Sequence, residues 1–255
     1  RGSDGASLSE VIILISLISL VLAFLVWRIM KDDISGQAND QPQQPKITSS
    51  AVMDTLKIPA VWLIAIIIMA AGTGMWGTIF FTPYATEAYE LGEVWGGAIG
   101  AGKYWITPFA AIAAGFFADK IGPAKAVLVL FVIMTASFLI FALIPGAPGL
   151  LPLLIINGAL LAGAAFALRG IYFSLLEQGG IPIAVTGTAT GIVSVIGYTP
   201  DVFMPTLGGV ILDTYPGSIG YQYLFFFVSF ISFLGLIATY IIYRKTQGKL
   251  LPAQH

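Results

Sequence analysis

The sequence predicts an all-α, polytopic bundle of transmembrane helices, and three observations predict it. The 255-residue chain is 57% hydrophobic and only 10% charged, whereas soluble domains carry about a quarter charged residues. Apolar stretches of about twenty residues, the length that crosses a bilayer core, recur along it. Runs such as VIILISLISLVLAFLVW do not alternate apolar with polar, as the strands of a transmembrane barrel do over about ten positions. Helices are then the structure that satisfies its own backbone in lipid.

Seven spans are expected, at roughly 9–29, 59–83, 95–118, 124–144, 149–173, 183–212 and 221–243, each by its sustained apolar length. The turn PGAPG, Pro145 to Gly149, separates the fourth from the fifth. Between the first two lies KDDISGQANDQPQQPKITSS, a polar stretch of linker composition with nothing to build a core. The chain therefore divides into one helix at 1–30, a linker at 31–57 and a six-helix unit at 58–255. Its opening RGSDGAS has no initiator Met and no charged-then-apolar signal pattern, and reads as a fragment whose upstream part is missing.

Orientation follows from lysine and arginine placement. With the linker cytoplasmic, Arg28, Lys31, Lys46, Lys57, Lys120, Lys125, Arg244, Lys245 and Lys249 fall inside, with Arg169 near that edge. The outer side receives Asp4, Glu10, Glu87, Glu90, Glu93 and Asp213, with Arg1 as its one base. Tyr84, Tyr89 and Trp95 at an outer edge, and Tyr240 and Tyr243 at an inner one, fit interfacial belts. Gly158, Gly163 and Gly170, and then Gly187, Gly191 and Gly197, let helix backbones approach closely.

Composition also excludes chemistry. There is no cysteine, and the one histidine is His255 at the end of the chain, so thiol chemistry, histidine catalysis and a His-rich metal site are not expected. Net charge is −1 with no basic cluster, so no nucleic-acid partner is expected. No GxxxxGK[ST] loop is present for ATP, and no HExxH or Gly-x-Ser-x-Gly elbow for an embedded enzyme. No enzyme activity and no cofactor are expected.

The most telling stretch is GFFADKIGPAK, from Gly115 through Asp119, Lys120 and Gly122 to Lys125. It forms a tight, charged hairpin between two apolar spans. Its Gly115-x-x-x-Asp119 returns as Gly209-x-x-x-Asp213 at the opposite membrane face, one span into the second of two three-span groups. Inverted repeats of this kind build many secondary transporters.

Six helices after a long polar linker, with G-x-x-x-D-K-x-G-x-x-K between the second and third, resemble the carboxy-terminal half of a major facilitator superfamily transporter. The pattern departs from the commoner one in that Pro123 and Ala124 intervene before Lys125. RGIYFSLLEQGGIP and GTATGIVSVIGYTPDVFMPTLGGVILD look like members near the organophosphate and anion symporter branch. The resemblance implies two inverted three-helix repeats and alternating access. It also implies a small polar or anionic solute moved in symport with a proton or sodium ion, and a six-helix amino-terminal half as partner. The expected location is a bacterial cytoplasmic membrane, with linker and carboxy terminus inside.

Charges within the spans are the candidate site. Lys103 lies about sixteen residues from Asp119, or roughly 24 Å, and Asp201 about seventeen from Ala184, or roughly 25 Å, so the two fall at one depth. A charge in lipid costs several kcal/mol and seeks a partner, cavity or water. Lys103 then attracts an anionic group with Asp201 as counter-ion or proton carrier; the alternatives are a fixed salt bridge and a snorkelling lysine. Pro200 and Pro205 flank Asp201 and kink its helix. Arg169 has Asp119 and Glu177 as its expected partners, either as a gate latch on the cytoplasmic side or as a permanent anchor. Trp76, Tyr104, Asn157 and Tyr198 are the uncharged candidates for a solute cavity. A channel has no filter or charged ring here; a sensor or half-size subunit without transport of its own is the alternative to a transporter.

Overall fold

The computed structural model describes residues 3–29, 49–182 and 185–250. The polar residues 30–48, with Lys31 and Lys46, lie outside the described residues, as do Arg1, Ala184 and His255. The chain divides into two units, Arg1–Lys46 and Ile47–His255. In the first, helix α1 (Ser3–Ile29) carries exposed side chains along its whole described surface from Ser9. A helix apolar all round demands lipid or other helices as its solvent.

The second unit is built of helices joined by short turns, with no strand among its described residues. Helix α2 (Ser49–Leu56) occupies the end of the expected linker and packs against α9 and α3. The remaining helices are α3 (Pro59–Ile79), α4 (Phe81–Ala88), α5 (Glu93–Ile121), α6 (Pro123–Leu143), α7 (Leu151–Ile171), α8 (Leu175–Gln178), α9 (Thr186–Gly197), α10 (Pro200–Thr214) and α11 (Ser218–Leu250). Among the described residues six helical segments are long and apolar enough to cross a membrane: Ser9–Ile29, Pro59–Ile79, Pro123–Leu143, Pro148–Gln178, Thr186–Thr214 and Ser218–Gln247. The expected third span, α5, has 29 residues and hence a length of about 44 Å. Lys103, Pro108 and its glycines dilute its apolar character, and it is not among the six.

Three expected spans end differently from the sequence reading. The second, expected to 83, stops at Phe80 (φ −74°, ψ 0°), and α4 begins at the next residue. The fifth does not stop at 173. A 3-10 turn over Tyr172–Ser174 carries it into α8, so the apolar segment runs to Gln178. The sixth breaks at Tyr198–Thr199 because Pro200 has no N–H and its ring excludes a continuing α-helix. Pro200 instead opens α10, where its missing donor costs nothing. Pro205 sits inside α10.

Helix α3 is the centre of the unit. It packs against α11, α9, α7 and α10, while α11 also packs on α6, and α5 on α7. Close approach at the α3–α6–α11 crossing requires glycine. A Cβ on Gly235 would lie 2.6 Å from Ala70 Cβ and 2.5 Å from Phe131 Cε1. The α5–α6 hairpin turns on Gly122 at φ +88°, a conformation that L side chains resist.

Tyr84 and Tyr89 do not sit in an interfacial belt. Helix α4 folds over the end of the bundle and buries both, with Tyr84 stacked edge-on to Tyr89, Phe141 and Phe225 at 5.0–5.7 Å. Burial pushes both hydroxyls above the ordinary phenol range, so both stay protonated. Trp95 and Tyr240 are exposed.

Hydroxyls within the helices are mostly satisfied by their own helix. Thr73 donates to the Met69 carbonyl, Thr190 to Thr186, Ser232 to Val228 and Thr239 to Gly235. Ser229, Asn157 and Gln222 cross between helices instead, donating to the carbonyls of Thr135, Ser137 and Ala142, each at 3.0 Å.

Candidate functional site

The break between α9 and α10 builds the site. As α9 ends, the Tyr198 N–H still bonds Ser194, and the Asp201 N–H closes a tight turn on the Tyr198 carbonyl at 3.1 Å. Asp201 is thereby placed in the first turn of α10, where helix-end N–H groups favour a carboxylate. Its Oδ1 accepts the indole N–H of Trp76 from α3 at 2.6 Å. This is a charge-assisted hydrogen bond of the short kind. The backbones of α3 and α9 meet where Gly72 faces the Gly197 carbonyl, 3.3 Å from the Cβ that Gly72 lacks.

Arg169 reaches the same place from α7. Arg169 lies nine residues before the end of the apolar segment at Gln178 and is exposed. One narrow cleft, with a volume of about 30 Å³, is lined by Ile68, Ala71, Gly72 and Met75 of α3, Ala165 and Arg169 of α7, Tyr172, Tyr198 and Asp201. The Tyr172 and Tyr198 hydroxyls lie 3.3 Å apart. A guanidinium, a carboxylate, two phenols and an indole thus meet at a cleft between helices, with Arg169, Tyr198 and Asp201 exposed and Tyr172 buried. Among the described residues the one ion pair within 4 Å is Lys57–Asp54 on the surface. Arg169 and Asp201 therefore share the cleft without a direct ion pair.

The expected partners of Arg169 lie elsewhere. Asp119, Lys120, Lys125 and Glu177 are exposed around the α5–α6 hairpin, and Arg169 pairs with neither Asp119 nor Glu177. The side chain that holds the hairpin is Gln178, whose Oε1 accepts the Ala124 N–H at 2.9 Å. That bond satisfies one of the orphan donors at the start of α6. The Gly122 N–H closes α5 on the Ala118 carbonyl at 2.8 Å, and a Cβ at Gly115 would meet nothing within 4 Å.

Lys103 is separate from this site. It is buried, and its ammonium donates to the Thr78 carbonyl in the last turn of α3, where that helix breaks before α4. The last carbonyls of a helix lack partners and carry partial negative charge, so the lysine caps the break. It lines a second cleft that shares no residue with the first. The expectation that Lys103 and Asp201 face one cavity at one depth does not describe the structure. Tyr104 is half-exposed, its ring 5.9 Å from Phe166 and 5.1 Å from the Lys103 ammonium. Asn157 is buried and occupied in bridging α7 to α6.

Of the sequence candidates, then, Trp76, Tyr198, Asp201 and Arg169 come together and Lys103, Tyr104 and Asn157 do not. Tyr172 was missed. Its signal is its place three residues after Arg169, one turn on along the same face.

No protein-family model matches the chain. It is similar to Inner membrane protein YihN of Escherichia coli (strain K12), at 26% identity over 236 residues, covering 90% of this chain and 56% of YihN. It is also similar to Inner membrane protein YqcE of the same strain, at 24% identity over 247 residues, covering 95% of this chain and 58% of YqcE. The chain thus spans a little over half the length of these curated relatives. Both are named for the inner membrane, and this chain has six segments able to cross one. It is a membrane protein.

Proposed function

We propose that this chain is the carboxy-terminal half of a secondary transporter of the major facilitator kind, carrying a small anionic solute by ion-coupled alternating access. The observation that carries the proposal is the Arg169–Asp201 cleft, with a guanidinium that no carboxylate pairs within 4 Å among the described residues. A guanidinium presents a planar fork of donors suited to carboxylate or phosphate oxygens, and the Tyr172 and Tyr198 hydroxyls supply further donors beside it. Asp201, held by the Trp76 indole, is the group that carries a coupling proton or faces a sodium ion. The walls come from α3, α7 and the broken α9–α10 segment, and discontinuous helices are where secondary transporters place such sites.

Two further features support the half-transporter reading. Asp119 and Asp213 each stand in the last turn of the second long segment of a trio, and each is followed by a glycine at positive φ, Gly122 and Gly217. This repeats a local device at opposite ends of the unit, as inverted repeats do. The chain also covers a little over half of YihN and YqcE, which leaves room in proteins of that size for an amino-terminal half as partner. The inner-membrane names of those relatives support a bacterial cytoplasmic membrane, and the lysine and arginine bias supports a cytoplasmic linker.

The test is uptake by the full-length protein in proteoliposomes under an imposed proton or sodium gradient, with small carboxylates, sugar acids, sugar phosphates and neutral sugars offered in turn. Anions are expected to enter and neutral sugars not. Arg169→Gln is expected to weaken the apparent affinity for the anion at least tenfold. Asp201→Asn is expected to abolish gradient-driven accumulation while leaving exchange. Wild-type affinity in Arg169→Gln would overturn the assignment of the cleft.

A further inference from the structure

Lys103 is the one buried charged side chain among the described residues, with 7% of its surface exposed. An ammonium has three donors, and its one acceptor here is the Thr78 carbonyl. No carboxylate lies within 4 Å of it among the described residues. The carboxyl end of a helix carries about half a negative charge, so α3 offsets only about half of the lysine's charge. A residual positive charge in an apolar bundle is costly until an anion meets it.

The cleft beside it is shaped for such an anion. Ile99, Gly102 and Ile106 of α5 form one wall, Leu154 and Gly158 of α7 the other, and Phe81 the floor. Its volume is about 160 Å³, smaller than the roughly 300–1,000 Å³ of drug-sized ligand sites, which suits a short organic anion. Apart from Lys103 every lining residue is apolar. A strongly hydrated ion such as phosphate would lose its water there and find no second donor. A carboxylate with an apolar body would put its charge on the ammonium and its chain against Ile106 and Leu154.

We propose that the Lys103 cleft is a binding site for organic carboxylates with an apolar body, distinct from the Arg169–Asp201 cleft. The test is calorimetric titration of the full-length protein in lipid nanodiscs with octanoate, with protein-free nanodiscs measuring bulk partition. One saturable site is expected, with octanol, octylamine and inorganic phosphate each at least tenfold weaker. Lys103→Met is expected to weaken octanoate at least tenfold. Since Lys103 also caps α3, Gly102→Leu is the second variant. Gly102 lines the cleft and a Cβ there meets nothing within 4 Å, so the leucine is expected to occupy the cleft and block octanoate equally. Arg169→Gln is expected to leave octanoate binding unchanged. Partition without saturation, or octanol binding as tightly as octanoate, would overturn the proposal, as would wild-type affinity in Gly102→Leu. Loss of octanoate binding in Arg169→Gln alone would move the anion to the other cleft and leave the transport reading standing.

Discussion

Replacing Gly235 by alanine tests the crossing on which the whole bundle rests. The added Cβ would lie 2.6 Å from Ala70 Cβ and 2.5 and 2.8 Å from two ring carbons of Phe131, where carbon pairs prefer about 3.5–4.0 Å. Ala70 Cβ is fixed to the backbone of α3 and cannot rotate away, so relief requires α3 and α11 to separate. Overpacking of this sort costs about 1–3 kcal/mol. Alanine recovers about 1 kcal/mol over glycine as a helix former, so the net effect is a loss of about 0–2 kcal/mol. Gly191 in α9 supplies the control, because a Cβ there meets nothing within 4 Å. Gly191→Ala should gain about 1 kcal/mol from propensity alone. The two variants should therefore differ by about 1–3 kcal/mol in reversible unfolding from mixed micelles by SDS, followed by far-ultraviolet circular dichroism. Equal shifts in both variants would refute the close approach of α3, α6 and α11.

Other perturbations probe the site and the hairpin. A double-mutant cycle of Trp76→Phe and Asp201→Asn should return a coupling of about 0.5–1.5 kcal/mol in thermal unfolding, below the range of about 1.5–3 kcal/mol for charged hydrogen bonds because Asp201 is exposed; additivity would break the assigned bond. Gln178→Leu should strip the cap from Ala124 at a cost of about 1 kcal/mol and speed hydrogen exchange at that amide several-fold, with the amides of α11 as the unaffected reference. Asn157→Leu should cost about 1 kcal/mol through the lost bridge to α6 yet leave solute affinity unchanged in uptake assays, since Asn157 lines neither cleft. A large rise in KM for that variant would return Asn157 to the binding machinery.

What the sequence made legible follows from what lipid demands. Spans such as Pro123–Leu143 and Ser218–Gln247 are dictated by uninterrupted apolar length, and a bilayer leaves them no alternative to a helix. The break at Tyr198 was legible too, because Pro200 dictates it covalently. The break at Phe80 is marked by Pro83, which has no N–H for the Ile79 carbonyl, while the binding of the Thr78 carbonyl by Lys103 of α5 there was not legible. The site was half legible for a related reason. Depth along a helix follows from residue counting, and that picked out Asp201 and Lys103. Which way each faces depends on helix rotation and packing, and these send Lys103 to α3's end and Arg169 toward Asp201. Counting also depends on where a span ends, and the 3-10 turn at Tyr172–Ser174 hid that end.

The self-satisfied hydroxyls carry a consequence for how this protein can be altered. Thr73, Thr190, Ser232 and Thr239 spend their donors on the carbonyl one turn back, a contact that bends a helix slightly without tying it to a neighbour. Their removal should cut no strut between helices and should relax local curvature, whereas removal of Ser229 or Asn157 severs a strut. The chain therefore holds two populations of polar positions that hydropathy scores alike: one a set of adjustable bends, the other fixed ties. An engineer seeking to retune the swing of α3 or α11 without loosening the bundle would begin with the bends.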